Sequence, residues 1–333
     1  MSRKTSSKRR FSFDPTPERP SSRLRVFLAR VPNRRQLVKV YGRTAAVFLA
    51  IGAGVLFPEA HELSFFIPFL IGSMLFFSFL GLEIGRQSFR YGVWKILLAN
   101  LAIAYSGLFL LWWVERDLAL IAFLTGATPT AAAAPAVVGF LHGRVEYAVG
   151  SLLLTTVVIA AMLPFVLPLI VGATVVISSW EVLGSVLLVV FVPLASARMA
   201  RYLPESARHL LQSGKGLSFY LWMGALFLVT SKATYFIVHE VTVPAIMLVK
   251  IAVMSLIICV VNFEVGSMVG GTAFRREASQ ALGQKNCSFT IWVALTFINP
   301  LVALGPTFYV IYHNLYSSLQ LYAFEKRRAE HTA

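Results

Sequence analysis

Between residues 44 and 323 the chain runs through ten long apolar stretches separated by short polar connections, and that pattern confines it to one kind of solvent. A bilayer core needs about 20 apolar residues per helix. On that ruler the spans fall near 44–57, 64–82, 93–114, 118–141, 146–172, 178–198, 216–237, 244–271, 277–297 and 300–323. Of the 333 residues 57% are hydrophobic, only 14% are charged and the mean hydropathy is +0.72, so a soluble surface cannot be assembled. The expectation is an all-α polytopic membrane protein.

Basic residues accumulate on the cytoplasmic side of membrane proteins, which tests the count. Thirteen Lys and Arg residues lie in 1–43. With that tail inside, Arg86, Arg90, Lys95, Arg144, Arg198, Arg201, Arg208, Lys215, Arg275, Arg276, Lys326, Arg327 and Arg328 fall on the same side. Outer connections hold Arg116 and Lys232, while Lys250 and Lys285 fall within spans. An odd number of spans would place the basic carboxyl-terminal end outside, so an even number is favoured and both termini are expected in the cytoplasm. The formal charge of +15 then reports orientation and does not call for nucleic acid.

Residues 1–43 are rich in Ser, Arg, Lys and Pro and are expected to form a largely disordered cytoplasmic arm. Its second part, SRLRVFLARVPNRRQLVKVY, suits an anionic lipid surface, although Pro32 interrupts any helix; a solvated tail that only fixes orientation is the simpler reading. Residues 324–333 form a second cytoplasmic tail. A bacterial-type inner membrane is expected, with an organellar inner membrane as the alternative. A cleaved signal peptide is disfavoured by the length of the charged region.

Ten spans divide into two sets of five, about 44–172 and 178–323, and because five is odd the sets would enter the membrane from opposite sides. Such inverted repeats place a site near the midplane where helices are broken. Spans four and nine occupy equivalent positions. The fourth contains GATPTAAAAP, with Pro129 and Pro135 as breaks; the ninth contains QALGQKN, with Gly283 among polar neighbours. Lys285 lies deep in span nine, where an unpaired charge costs several kcal/mol. Glu264, at similar depth in span eight, is its expected partner, and the two are the candidate coupling groups. Lys250 lies near a span end and is expected to snorkel. Thr128, Thr130 and Asn286 border the breaks, where they either replace lost backbone bonds or face a ligand. Gly81 with Gly85, and Gly266 with Gly270, have the spacing of close helix packing.

Four segments carry a family resemblance. FLAIGAGVLFPEAHELSFFIPFLIGSMLFF, TGATPTAAAAPAVVGFLHGRVEYAVGSLLL, ALGQKNCS and GPTFYVIYHNLYSSL, the last holding His313 and Asn314, follow one another in an order and spacing that resembles the bile acid:sodium symporter family and its bacterial homologues. The resemblance spans roughly residues 44–323. It implies ten transmembrane helices in a panel and a core, broken helices four and nine that cross, and secondary transport of organic anions with sodium. The departures are specific. The family's ninth-helix glutamate, a sodium ligand, falls on Ala281 and the signature glutamine on Lys285. Its Ser-Asn pair falls on Ala134 and Pro135, and its helix-five hydroxyls fall on Ala148 and Leu152. The third-helix glutamine keeps an amide at Asn100.

A sodium ion needs about five or six oxygen ligands, so their loss makes sodium a doubtful ligand here, and an ammonium at Lys285 would supply the fixed charge instead. The expectation is a transporter for a small organic anion that works by alternating access, either proton-coupled through Lys285 or Glu264 or facilitative. Lys285, Asn286, Thr128, Thr130, Asn100, His313 and Asn314 would bind the substrate, without cofactor or metal. Conventional sodium symport is one alternative. A non-transporting membrane sensor or scaffold is another. No phosphate loop, metal-spaced His and carboxylate set or activated nucleophile supports an enzyme.

Overall fold

The computed structural model describes residues 34–80, 82, 85–89, 91–172, 178–240 and 243–331. Residues 1–33 of the expected arm, the end of the second tail at 332–333, and Gly81 lie outside the described residues. The first helix, α1, runs over Arg34–Leu56, so residues 34–43, assigned to a disordered arm from sequence, are helical. They contain no proline and are led by helix formers, and a helix satisfies its backbone locally without needing apolar burial. Pro58 lacks an N–H and ends it; a tight helical turn, Pro58–Phe66, leads into α2 (Ile67–Leu80).

There follow α3 (Trp94–Leu111), α4 (Arg116–Gly126), α5 (Ala134–Phe140) and α6 (Val145–Val171). Next, α7 (Ser179–Val186) passes through a widened turn, Leu187–Phe191, into α8 (Val192–Met199). The widening precedes Pro193, whose ring would collide with the carbonyl one turn back in a regular helix. The remainder comprises the short exposed α9 (Glu205–Ser213), then α10 (Leu217–Tyr235), α11 (Ala245–Gly270), α12 (Arg275–Gly283), α13 (Cys287–Phe297) and α14 (Pro300–His331).

Six of these segments are long and apolar enough to cross a bilayer: Pro58–Leu80, Trp94–Leu111, Val145–Val171, Ser179–Tyr202, Leu217–His239 and Ala245–Gly270. Their outer faces carry Leu110, Leu169, Trp180 and Met268 at 75–80% exposure, whereas Asn100, Gln280, Gln284 and Lys285 are buried. Apolar surface outside and polar groups inside is the distribution lipid imposes. The chain is a polytopic membrane protein.

Two packing groups emerge. In one, α10 lies against α1, the Pro58–Phe66 turn and α2, and α2 against α8. In the other, α3 packs on α4, α11 on α12 and α14, α13 on α14, and α6 on α5 and α12. Small residues set the closest approaches. A Cβ on Gly126 would stand 2.7 Å from Ala104 Cα, and one on Gly266 would stand 2.5 Å from Ala278 O. Gly266 and Gly270 both face α12, the role their spacing anticipates.

Candidate functional site

The segments expected as spans 118–141 and 277–297 each form two short helices with a gap. In the first, Pro129 supplies no N–H and disfavours helical backbone at Thr128, so α4 stops at Gly126 and Thr128 turns its hydroxyl back to Leu124 O at 2.9 Å. The helix resumes as α5, with Pro135 in its first turn, where a missing N–H costs nothing. In the second, α12 stops at Gly283 and Gln284 is extended. Gly283 is required there because the ring of Phe263 fills the space a Cβ would need.

Each gap would strand backbone donors and acceptors in an apolar medium. They satisfy one another. The Ala131 N–H donates to Gln284 O at 2.8 Å, the Asn286 N–H donates to Pro129 O at 2.8 Å, and Thr130 pairs antiparallel with Lys285 between them. Side chains finish the joint. Thr130 donates to Ala281 O at 2.6 Å, Thr155 on α6 accepts from the Thr130 N–H at 3.0 Å, and Thr128 and Thr290 share a 3.0 Å hydroxyl contact. Tyr309 on α14 donates to Gly283 O at 2.9 Å and accepts from Asn262 at 3.1 Å. At one end of the joint α12 clasps the α5–α6 turn: Arg276 donates to Leu141 O and Glu277 accepts from the Arg144 N–H, both at 2.9 Å.

Lys285 is 2% exposed and sits in the joint itself. Its backbone N–H donates to His313 Nδ1 at 3.2 Å, which places the imidazole proton on Nε2. Its Nζ donates to Asn100 Oδ1 at 2.5 Å and to Gly126 O at 3.1 Å, and Asn100 is fixed in turn by donating through Nδ2 to Thr128 O at 3.0 Å. Gly126 closes α4, so the ammonium lies at a helix carboxyl-terminal end, where the backbone dipole favours positive charge. The expected pair with Glu264 does not form. Depth along the helix suggested it, but Glu264 lies on the outward face of α11, away from buried Asn262 and Phe263, and accepts from Tyr316.

A cavity of about 1530 Å³ opens against the joint, between the two packing groups. Met74, Phe77 and Trp222 line it from the first group; Ala131, Asn286, Ser288 and His313 line it from the second. Arg201 and Arg208 also contribute to it. No family model and no curated protein matches this chain. The geometry therefore carries the functional argument alone.

The seven expected binding residues gather around the joint, in different roles. Asn286 and His313 reach the cavity wall while Asn100 stands behind it holding Lys285. Thr128 and Thr130 spend their hydroxyls on the breaks, and Asn314, at the cavity, donates to its own Val310 O at 2.7 Å. The resemblance places the family's helix-five hydroxyls at Ala148 and Leu152. Ala148 and Leu152 are buried carbon, and the hydroxyl that meets the break is Thr155, three residues further on.

Sequence reasoning missed Tyr309, Asn262 and a ladder of amides and hydroxyls between α12 and α14. In that ladder Gln284 donates to Ser317 at 2.6 Å, Ser317 to Gln280 at 3.2 Å, and Gln280 to Gln320 at 2.8 Å. Polar residues at i, i+4 and i+7 (His313, Ser317, Gln320) in an apolar helix were the available signal. Lys250, expected at an interface, is half-exposed and pairs with Glu115 at 2.8 Å. Among the described residues no three His, Cys, Asp or Glu side chains are placed to hold a metal.

Proposed function

We propose that the chain is a secondary transporter for a small organic anion, working by alternating access on the architecture of the bile acid:sodium symporter family. The observation that carries this reading is the paired break with a buried ammonium inside it, facing a cavity that separates two helix groups. In this reading the ten expected spans form two inverted five-helix repeats, and α4–α5 and α12–α13 are the equivalent broken helices. The group around α10 is the panel and the group around the joint is the core. Both termini are cytoplasmic, and the cavity, with Arg201 and Arg208 among its lining residues, opens inward in a bacterial-type inner membrane.

The anion would enter from that side and rest against Asn286, Ser288 and His313. The amino-terminal end of α13 and the charge of Lys285, itself part of the cavity lining, would both attract it. The ammonium is already bonded to two oxygens, so it acts as a fixed field and Asn100 holds it in place. Conventional sodium coupling gains no support from this arrangement, since a lysine fills the oxygen-lined position and Glu264 faces away. Reconstitution in proteoliposomes tests the reading. Counterflow of an organic anion without sodium is expected, and it should be lost in Lys285→Met. Binding with no flux under sodium, proton or exchange conditions would support a non-transporting sensor instead.

A further inference from the structure

We infer that Glu146 on the core and Arg201 and Arg208 on the panel form a charged latch for the cavity: apart in this open form, they meet when the two groups close. The inference rests on the transport reading for its two moving groups, but its test reads closure and not flux.

The two groups touch on one side of the joint and part on the other. On one side α13 lies against α2 and α10, and α14 against α1 and α10. On the other, α5 and α12 pack on each other and on α6, and the cavity intervenes. Pro135, Phe140 and Val149 line it from the core, Phe77 and Phe219 from the panel. Walls of this kind expel water when they meet. Among the described residues, the charged side chains of the lining other than Lys285 are Glu146, Arg201 and Arg208, all three exposed.

Each is fastened to its own group. Glu146 stands in the first turn of α6, where the helix dipole favours a carboxylate, and the turn before it is clasped to α12 by Arg276 and Glu277. Arg201 follows α8 and donates through Nη2 to Leu82 O, just past α2, at 2.7 Å, which leaves the rest of its fork for a carboxylate. Arg208 lies on α9, which packs on α2. Among the described residues none of the three is in an ion pair.

Closure makes the pairing matter. In the open form water screens these charges, and a pair there is worth little. Once the walls meet, an unpaired guanidinium would lose its water without compensation, while the same loss of water strengthens its attraction to a carboxylate across the gap. Glu146 is the carboxylate that the core brings to the cavity. The arginines thus serve twice: open, they present a positive field to an arriving anion, and closed, they hold the panel to the core.

The test places cysteines beside the latch and leaves the latch intact. Val145→Cys adjoins Glu146, and Gln212→Cys lies one turn beyond Arg208 on the facing wall. The rate at which a short bismaleimide joins them in the purified full-length protein measures approach of the two walls. Each single-cysteine variant controls for Cys259 and Cys287, which are buried. Cross-linking should slow severalfold when Glu146→Gln is added, and equally when Arg201→Gln and Arg208→Gln are added together. Glu146→Arg alone should slow it further, and combining it with Arg201→Glu and Arg208→Glu should restore the rate. High sodium chloride should slow the form with its native charges and leave the neutralised forms unchanged. No cross-link in any folded form overturns the inference, as does a rate indifferent to neutralisation or a reversal that restores nothing. If the substituted forms cannot be purified, the salt series on the native charges decides alone: slowing supports the latch and no change removes it. Flux absent throughout while the cross-linking pattern holds would count against transport and leave the latch standing; flux present with indifferent cross-linking would remove the latch alone.

Discussion

Helix α10 and the pair α12–α13 are both packed among other helices, and both carry polar side chains where lipid would not tolerate them. In α10 the repair is local or one step away. Thr230 returns its hydroxyl to Leu226 O at 2.8 Å, and Ser231 caps Phe57 O at the end of α1 at 2.5 Å. The helix is continuous over Leu217–Tyr235, and its polar atoms tidy the backbone they sit on. In α12–α13 the interruption at Gln284–Asn286 is repaired by Pro129, Thr130 and Ala131, from a segment about 150 residues away, and the shared space admits a lysine. A continuous helix can be swapped for another of the same shape. A broken one is defined by its partner, which is why polar chemistry concentrates there.

That contrast can be broken most forcefully at Asn100. Asn100→Leu removes the acceptor of Lys285 and the donor to Thr128 O while leaving the charge buried, and should cost roughly 3–5 kcal/mol. Denaturation in detergent checks it; a loss under about 1 kcal/mol would mean the joint does not depend on the ammonium. Gly126→Val comes next, since the new side chain meets the backbone of Ala104. Overpacking of about 1–3 kcal/mol is expected, read as a lower melting temperature and poorer yield.

Tyr309→Phe deletes the donor to Gly283 O and should cost about 1 kcal/mol, with anion binding weakened more than stability if the joint forms the site wall. The smallest effect belongs to Lys250→Ala, outside both regions. Its partner Glu115 is one-third exposed, so the change should stay within about 1 kcal/mol and shrink further in high salt. A larger loss there would show that surface pairs, and not the joint, hold the helices in register.

Much of this arrangement was legible in the sequence. Pro129 and Pro135 marked one break because a proline in an apolar run must leave backbone unpaired, and the polar cluster around Gly283 marked the other. The depth of Lys285 was equally plain. Its partner was not, because hydropathy reports how far along a span a residue lies and not which way it faces. Glu264 matched in depth and missed in azimuth, turned outward beside buried Asn262 and Phe263, while Asn100, on another helix altogether, supplied the acceptor. The hydroxyl at Thr155 was missed for a related reason. α6 carries Ser151, Thr155 and Thr156 within two turns, and the sequence alone does not show which of them faces Thr130.

The pairing of Thr130 with Lys285 also imposes an order on biosynthesis. The two residues are 155 positions apart, and chains are made at roughly 5–20 residues per second, so the first break waits on the order of 8–30 s before its partner has been synthesised. Through that interval the nascent chain holds a proline-broken segment whose peptide groups have no ligand, and such a segment is unstable in hydrocarbon. The amino-terminal half must therefore linger at the insertion machinery or the lipid headgroups, and only the arrival of QALGQKN allows it to settle.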